Sequence, residues 1–180
     1  MFTEKFLRVV ILGVSLMLST FLSGCSSKQF TATVPAVDLQ RFMGTWYVWT
    51  GRTTFLEKDA HNAVEIYTWN AEKQRIDIGF TFNKGSLDGE LKSIPQKAWI
   101  ENPQTNAHWK VSPFWPLKFD YLVIGLDPDY QWTAIGVPSG KYLWIMGRNP
   151  QVADSKLQEI VQTVSKTGYP VENLTVIPHR

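Results

Sequence analysis

Apolar residues recur at every second position in a series of short runs, and this period of two is the dominant signal in the chain. Arg75–Phe82 shows it most clearly. Ile76, Ile78, Phe80 and Phe82 share one face, while Arg75, Asp77 and Thr81 share the other. One wet face and one buried face is the pattern of an antiparallel sheet packed on one side. Further strand-like runs fall at Thr45–Phe55, Ala63–Trp69, Glu90–Ile100, Ala107–Ser112, Phe119–Leu126, Trp132–Val137 and Tyr142–Met146. Turn-forming stretches separate them, among them Asn70–Lys73, Asp127–Asp129 and Pro138–Lys141. The period then changes. From Asp154 to Thr167, the residues Leu157, Ile160, Val161 and Val164 fall at helical spacing, with Asp154 or Ser155 as a cap and Ser155 and Gln158 at capping-box spacing. Gly168 and Pro170 supply the stop, and Leu174–Ile177 reads as a last short strand. The order predicts an all-β fold, a sandwich or a barrel, with one amphipathic helix and a short strand after the eighth run. A closed barrel of eight strands leaves room for one small ligand.

Residues 1–24 follow a different rule. Lys5 and Arg8 precede an apolar run from Val9 to Leu22, the layout of a secretory signal peptide. The run is shorter than the roughly 20 apolar residues a membrane-spanning helix needs. It ends in Leu22-Ser23-Gly24-Cys25, which resembles the lipobox of bacterial lipoproteins. That resemblance implies acylation of Cys25 and cleavage just before it. Ser26, where an aspartate would imply retention in the inner membrane, points to the outer membrane. Residues 25–33 then read as the lipidated N-terminus and a polar tether, and 34–180 as one domain. Cys25 is the one cysteine of the chain, so its acylation leaves no disulfide, thiol nucleophile or thiolate metal site.

Composition narrows the function classes. The formal charge of +2 falls to +1 without the leader, which loses Lys5, Arg8 and Glu4. A near-neutral chain gives no electrostatic reason to expect nucleic acid. Eight tryptophans, at 46, 49, 69, 99, 109, 115, 132 and 144, suit strands around a wide apolar interior. His61, His108 and His179 lack short metal-ligand spacing, no Gly-x-Ser-x-Gly motif is present, and acids such as Asp77 and Glu65 read as strand residues on a solvated face, so neither a metal site nor an enzyme is expected.

Three segments resemble the lipocalins, in particular the bacterial lipoprotein lipocalins related to apolipoprotein D. Phe42-Met43-Gly44-Thr45-Trp46-Tyr47, after a short helical turn at Val37–Phe42, is similar to the family's Gly-x-Trp motif. Tyr121–Asp127 with Asp129-Tyr130 resembles the middle motif, and Tyr142–Arg148 the segment that ends in the family arginine. The sequence departs from the family pattern at Val48-Trp49-Thr50-Gly51, where many relatives read Glu-Ile-Ala-Arg, and at Pro128. The resemblance covers residues 34–180 and implies an all-β fold, an eight-stranded antiparallel up-and-down β-barrel with a C-terminal α-helix packed outside it and a short final strand. It implies that Trp46 plugs the closed end of the barrel beneath the Arg148 guanidinium, a structural pair rather than a catalytic one.

If Trp46 points inward, alternation carries Val48 and Thr50 inward with it. By the same rule Ile78 and Phe80 face inward, as do Tyr142, Trp144 and Met146 on the parity of Arg148. The resemblance implies a fatty acid or (lyso)phospholipid on these residues, no cofactor, and a role in lipid storage or transport at the envelope, with a homodimer allowed. Two other readings stay open. One is a structural or partner-binding lipoprotein whose barrel is filled by its own aromatics. The other is a haem or tetrapyrrole binder with His61 or His108 as axial group.

Overall fold

The computed structural model describes residues 28–180; Cys25 and the leader lie outside the described residues. After a four-residue helix α1 (Leu39–Phe42) come eight long strands: β1 (Gly44–Arg52), β2 (Ala60–Asn70), β3 (Arg75–Lys84), β4 (Glu90–Ile100), β5 (His108–Ser112), β6 (Phe119–Leu126), β7 (Trp132–Gly136) and β8 (Leu143–Gly147). Helix α2 (Asp154–Ser165) and a two-residue strand β9 (Thr175–Val176) follow. Neighbouring strands pair antiparallel in chain order, and β1 closes the ring by pairing with β8 on one side and β2 on the other. β9 adds to β1 from outside, Thr50 opposite Val176. The predicted barrel, outer helix and final strand are all present, and strand ends shift by one to three residues.

Two apolar clusters divide the molecule. The inner one fills the barrel and contains the alternate residues of β3, Ile76, Ile78, Phe80 and Phe82, as the sequence period requires. The outer one lies between the barrel wall and α2, where Ile160 and Val164 pack with Trp49, Leu122, Ile124, Leu143 and Ile145. The wall beneath the helix is thus buried on both faces. This explains why Phe119–Leu126 and Trp132–Val137 read as nearly continuous apolar runs rather than alternating ones. The capping expectation for α2 does not hold: Ala153 is the N-cap and no side chain bonds the first turn. Gly168 does adopt a positive φ of 82° beyond the helix end.

The base of the barrel is built from the first and third motifs. Asp38 caps α1, its carboxylate accepting from the amides of Gln40 and Arg41 at 2.9 and 3.2 Å. Gly44, at φ 98°, then turns the chain into β1, and a Cβ there would lie 3.4 Å from the Arg148 guanidinium. Trp46 is fully buried and donates from Nε1 to the Phe42 carbonyl at 2.8 Å. The Arg148 guanidinium carbon sits 3.7 Å from the Trp46 ring centroid. The same guanidinium donates to the carbonyls of Thr45 (2.8 Å), Arg41 (2.6 Å), Phe42 (3.1 Å) and Tyr130 (3.3 Å). It therefore ties α1, β1 and the β6–β7 connection together while covering the ring. Replacing Arg148 by Ala removes the cation–π contact and leaves those carbonyls without their donor, so the variant is expected to lose about 2–4 kcal/mol of stability. Urea denaturation of the two proteins measures the difference, and a loss under about 0.5 kcal/mol would show that the clamp is dispensable.

Candidate functional site

The barrel interior is the candidate site, and strand register decides which side chains line it. Partners across an antiparallel pair share a face. Trp46 stands opposite Glu65, Glu65 opposite Phe80, and Phe80 opposite Ile94, so this row faces inward from β1 to β4. Val48 stands opposite Met146, and Ile135 opposite both Val123 and Trp144, which extends the inner wall through β6–β8. Val48, Ile78, Phe80, Trp144 and Met146 are therefore placed inside, all within or packed against the inner cluster. Tyr142 precedes β8 at the mouth, half-buried, with its ring 5.9 Å from that of Trp144.

Thr50 is different. The pairing of β1 with β8 slips between Val48 and Thr50, which sets Thr50 opposite Ile145 of the outer cluster. Its hydroxyl donates to the Thr175 carbonyl of β9 at 2.9 Å. A bulge adds one residue to a strand and reverses its later parity. Thr50 thereby leaves the lining, and alternation counted straight from Trp46 placed it on the wrong side.

The lower interior is packed with rings. Phe42 lies against Trp46, Tyr67 and Trp109, and Trp109 stacks on Tyr121 with centroids 5.3 Å apart and planes at 7°. Above them sits a feature that the sequence reading assigned to a solvated face: Glu65 is buried inside the barrel. Tyr67 donates its phenolic proton to Glu65, and the Tyr121 hydroxyl joins Tyr67. Burial pushes the Glu65 carboxyl up from its ordinary 4.5 to about 7, and the neighbouring Glu57 charge adds to the rise. Burial likewise raises both phenols well above their ordinary range. In Ala63–Trp69 the hydrophobic pattern favours Val64 and Ile66 as the inner set, yet register with Trp46 turns Ala63, Glu65 and Tyr67 inward and leaves Ile66 half exposed. Counting from the Gly-x-Trp motif, not hydropathy, could have found this.

The mouth is crossed by a single 3-10 turn, Phe55–Glu57, between β1 and β2. Glu57 accepts from Trp144 Nε1 at 2.8 Å and from the Thr54 hydroxyl at 2.7 Å, and burial raises its carboxyl too. Lys92 stands opposite the buried Phe82 near the mouth and pairs with Glu90 at 2.6 Å. Two open depressions lie outside the lumen, one of about 640 Å³ beside the lid and one of about 570 Å³ on the outer wall near Trp115. Neither histidine offered as an axial ligand faces the lumen wall. His108 is opposite Leu122 of the outer cluster and bonds Asp120 at 2.6 Å, and His61 contacts the Asp59 carbonyl at 3.1 Å at the start of β2.

The proton on Glu65 has a consequence for stability. The folded state holds it more tightly than the unfolded chain does, so this contribution is complete below about pH 4.5 and is lost as pH rises through about 7. Unfolding free energies from urea denaturation across that window are expected to fall with pH by as much as ~1.4 kcal/mol per unit, and Glu65→Gln to flatten the fall. Parallel profiles for the two proteins would remove Glu65 as the cause.

Comparison with known proteins places this barrel. Residues 37–179 match the family described as "Lipocalin-like domain". The outer membrane lipoprotein Blc of Escherichia coli K12 is 31% identical over 137 residues, which cover 74% of this chain and 75% of that protein. The Blc lipoprotein of Citrobacter freundii is 28% identical over 174 residues, covering 93% and 96%. Among solved structures, the cockroach allergen Per a 4 superposes with a TM-score of 0.62 at 14% identity, covering 86% of this chain and 96% of that one.

Proposed function

The chain belongs to the lipocalin family, whose members bind small hydrophobic ligands, and from that premise we propose that it holds a single-chain lipid, a fatty acid or lysophospholipid. The observation that carries this reading is the division of the inner wall by height. Above the Trp109–Tyr121 stack the wall is mainly apolar, from Val48, Ile78, Phe80, Ile94, Ile135 and Met146 with Gln96 opposite Ile78 as a polar member, and suits an acyl chain. Polar groups gather at the mouth, where Lys92, Tyr142 and Glu57 surround the place of a headgroup. Lys92 supplies the cation that a carboxylate or phosphate requires. Entry displaces Trp144 and the Glu57 turn, which hold each other by one hydrogen bond. The role is binding, not catalysis.

The same reading gives the chain a lipid anchor at Cys25 and a place in the outer membrane, supported by the lipobox-like Leu22–Cys25 and by the lipoprotein relatives. Storage or transport of lipid for membrane maintenance follows from an anchored carrier.

Titrating lipid-stripped protein with lysophospholipids and fatty acids tests the ligand. Saturable binding of one molecule per barrel, seen by native mass spectrometry and by tryptophan emission, is expected. Ile94→Trp, which fills the upper lumen, is expected to weaken binding at least about tenfold, near 1.4 kcal/mol. No binding by a folded, lipid-free protein would favour a barrel filled by its own aromatics. For the anchor, labelled palmitate is expected on the wild-type chain made in a bacterial host, and Cys25→Ser is expected to lose both the label and sedimentation with membranes. A Cys25→Ser protein that stays membrane-bound would sink the assignment.

A further inference from the structure

Chain direction assigns every connection to one end of the barrel. The β1–β2, β3–β4, β5–β6 and β7–β8 connections lie at the mouth, and residues 71–74, 101–107 and 127–131 lie at the base with Trp46 and Arg148. The N-terminal segment starts at the mouth. Phe30 donates its amide to the Pro138 carbonyl at 2.7 Å, and its ring lies 5.1 Å from that of Tyr169, which bonds both Val137 and Tyr142. Seven residues later Val37 donates to Thr105 at the base, so the segment descends the barrel from mouth to base. Cys25 precedes Phe30 by five residues, a reach of at most about 18 Å when fully extended. The barrel is longer than that, since strands of ten residues tilted at about 40° rise roughly 25 Å. An anchor at Cys25 therefore holds the mouth nearer to the membrane than the base.

The exposed apolar side chains are distributed accordingly. Phe55, on the mouth turn, is 83% exposed, and Leu91, Phe114, Leu117 and Phe119 at the same end are each more than half exposed. None of the three base connections carries an exposed large apolar residue. Four exposed lysines, Lys58, Lys84, Lys118 and Lys141, stand at the mouth. Of the acids there, Asp88 pairs with Arg180, Glu90 with Lys92, Glu57 is buried within the mouth turn, and Asp59 is exposed beside Lys58. Lys118 also lies over the ring of Trp99, 4.3 Å from its centroid, which places a cation and an aromatic side by side. Apolar tips ringed by lysines complement the interface of a bilayer with anionic headgroups, where a soluble surface would leave them in water.

We propose that the mouth of the barrel is a membrane-docking face. With Cys25 acylated, the apolar tips rest in the interface of an anionic phospholipid bilayer and the lysines on its headgroups. Ligand then passes between bilayer and lumen without crossing bulk water. The docking rests on the anchor assigned above, and the passage of ligand on the carrier reading.

The test uses the full lipoprotein in phosphatidylethanolamine vesicles containing phosphatidylglycerol. Because acylation consumes the Cys25 thiol, an introduced cysteine is the single free one. Nitrobenzoxadiazole labels on Phe55→Cys and Leu117→Cys at the mouth, and on Glu72→Cys at the base, are read against acyl-chain nitroxide lipids. Quenching several-fold greater at the two mouth positions is expected; equal quenching at all three, or quenching at position 72 alone, overturns the proposal. In a second measurement, Phe114→Asp combined with Leu117→Asp is expected to slow transfer of a fluorescent lysophospholipid from vesicles about tenfold. Its affinity for the same lipid below the micellar concentration is expected to stay unchanged, and an undiminished transfer rate counts against docking. If the mouth labels are quenched but no lysophospholipid binds, the docking face stands and the carrier reading fails.

Discussion

The arginine clamp on Trp46 is the contact from which the rest of the barrel is organised. It does more than cover a ring. By taking carbonyls from Arg41, Phe42, Thr45 and Tyr130, the Arg148 guanidinium fixes α1 across the base, the first turn of β1, and the connection between β6 and β7. With Trp46 held inward, the parity of β1 is set, and through β1 that of its two neighbours. The close approach has a local requirement. Gly44 must adopt a positive φ next to the guanidinium, which a Cβ would both crowd and strain.

Parity set at the base has its largest effect at Glu65. A carboxyl buried among aromatics costs free energy as an anion, and here Tyr67 meets part of that cost by donating to it, with Tyr121 bonded to Tyr67 behind. The remainder appears as a carboxyl that titrates near neutrality. The interior is therefore not a uniform apolar sleeve. It has a sealed aromatic floor, a proton-sensitive layer above it, an apolar wall, and a polar mouth closed by the Glu57–Trp144 contact. A ligand that fits this order has its apolar portion in the middle and its headgroup at the top.

The two faces of the wall serve separate ends. Inside, large side chains from alternate positions make the lumen. Outside, β6–β8 need cover, and α2 provides it through Ile160 and Val164. Tyr169, just past α2, reaches back to the backbone of Val137 and Tyr142 and so links the helix end to the mouth. The N-terminal segment meets the same point through Phe30. The end of the helix, the N-terminal segment and the mouth turn thus converge at the open end of the barrel.

Much of this was legible in the sequence by itself. Local hydrophobic period, turn residues and the late switch to helical spacing determine eight strands, a helix and a last strand, because each depends only on residues a few positions apart. The Gly-x-Trp and terminal-arginine segments likewise located the base pair. Tertiary structure decided what depends on register between distant segments. The bulge in β1 put Thr50 on the outer wall and bonded it to β9, a slip of one residue that no local pattern announces. Register with Trp46 turned Glu65 inward against its own hydropathy, because pairing with a fixed neighbour outweighs the preference of Val64 and Ile66 for burial. The path of residues 28–37 down the barrel was also decided only in three dimensions, by hydrogen bonds from Phe30 to Pro138 at the mouth and from Val37 to Thr105 at the base, partners remote in sequence that no local pattern links.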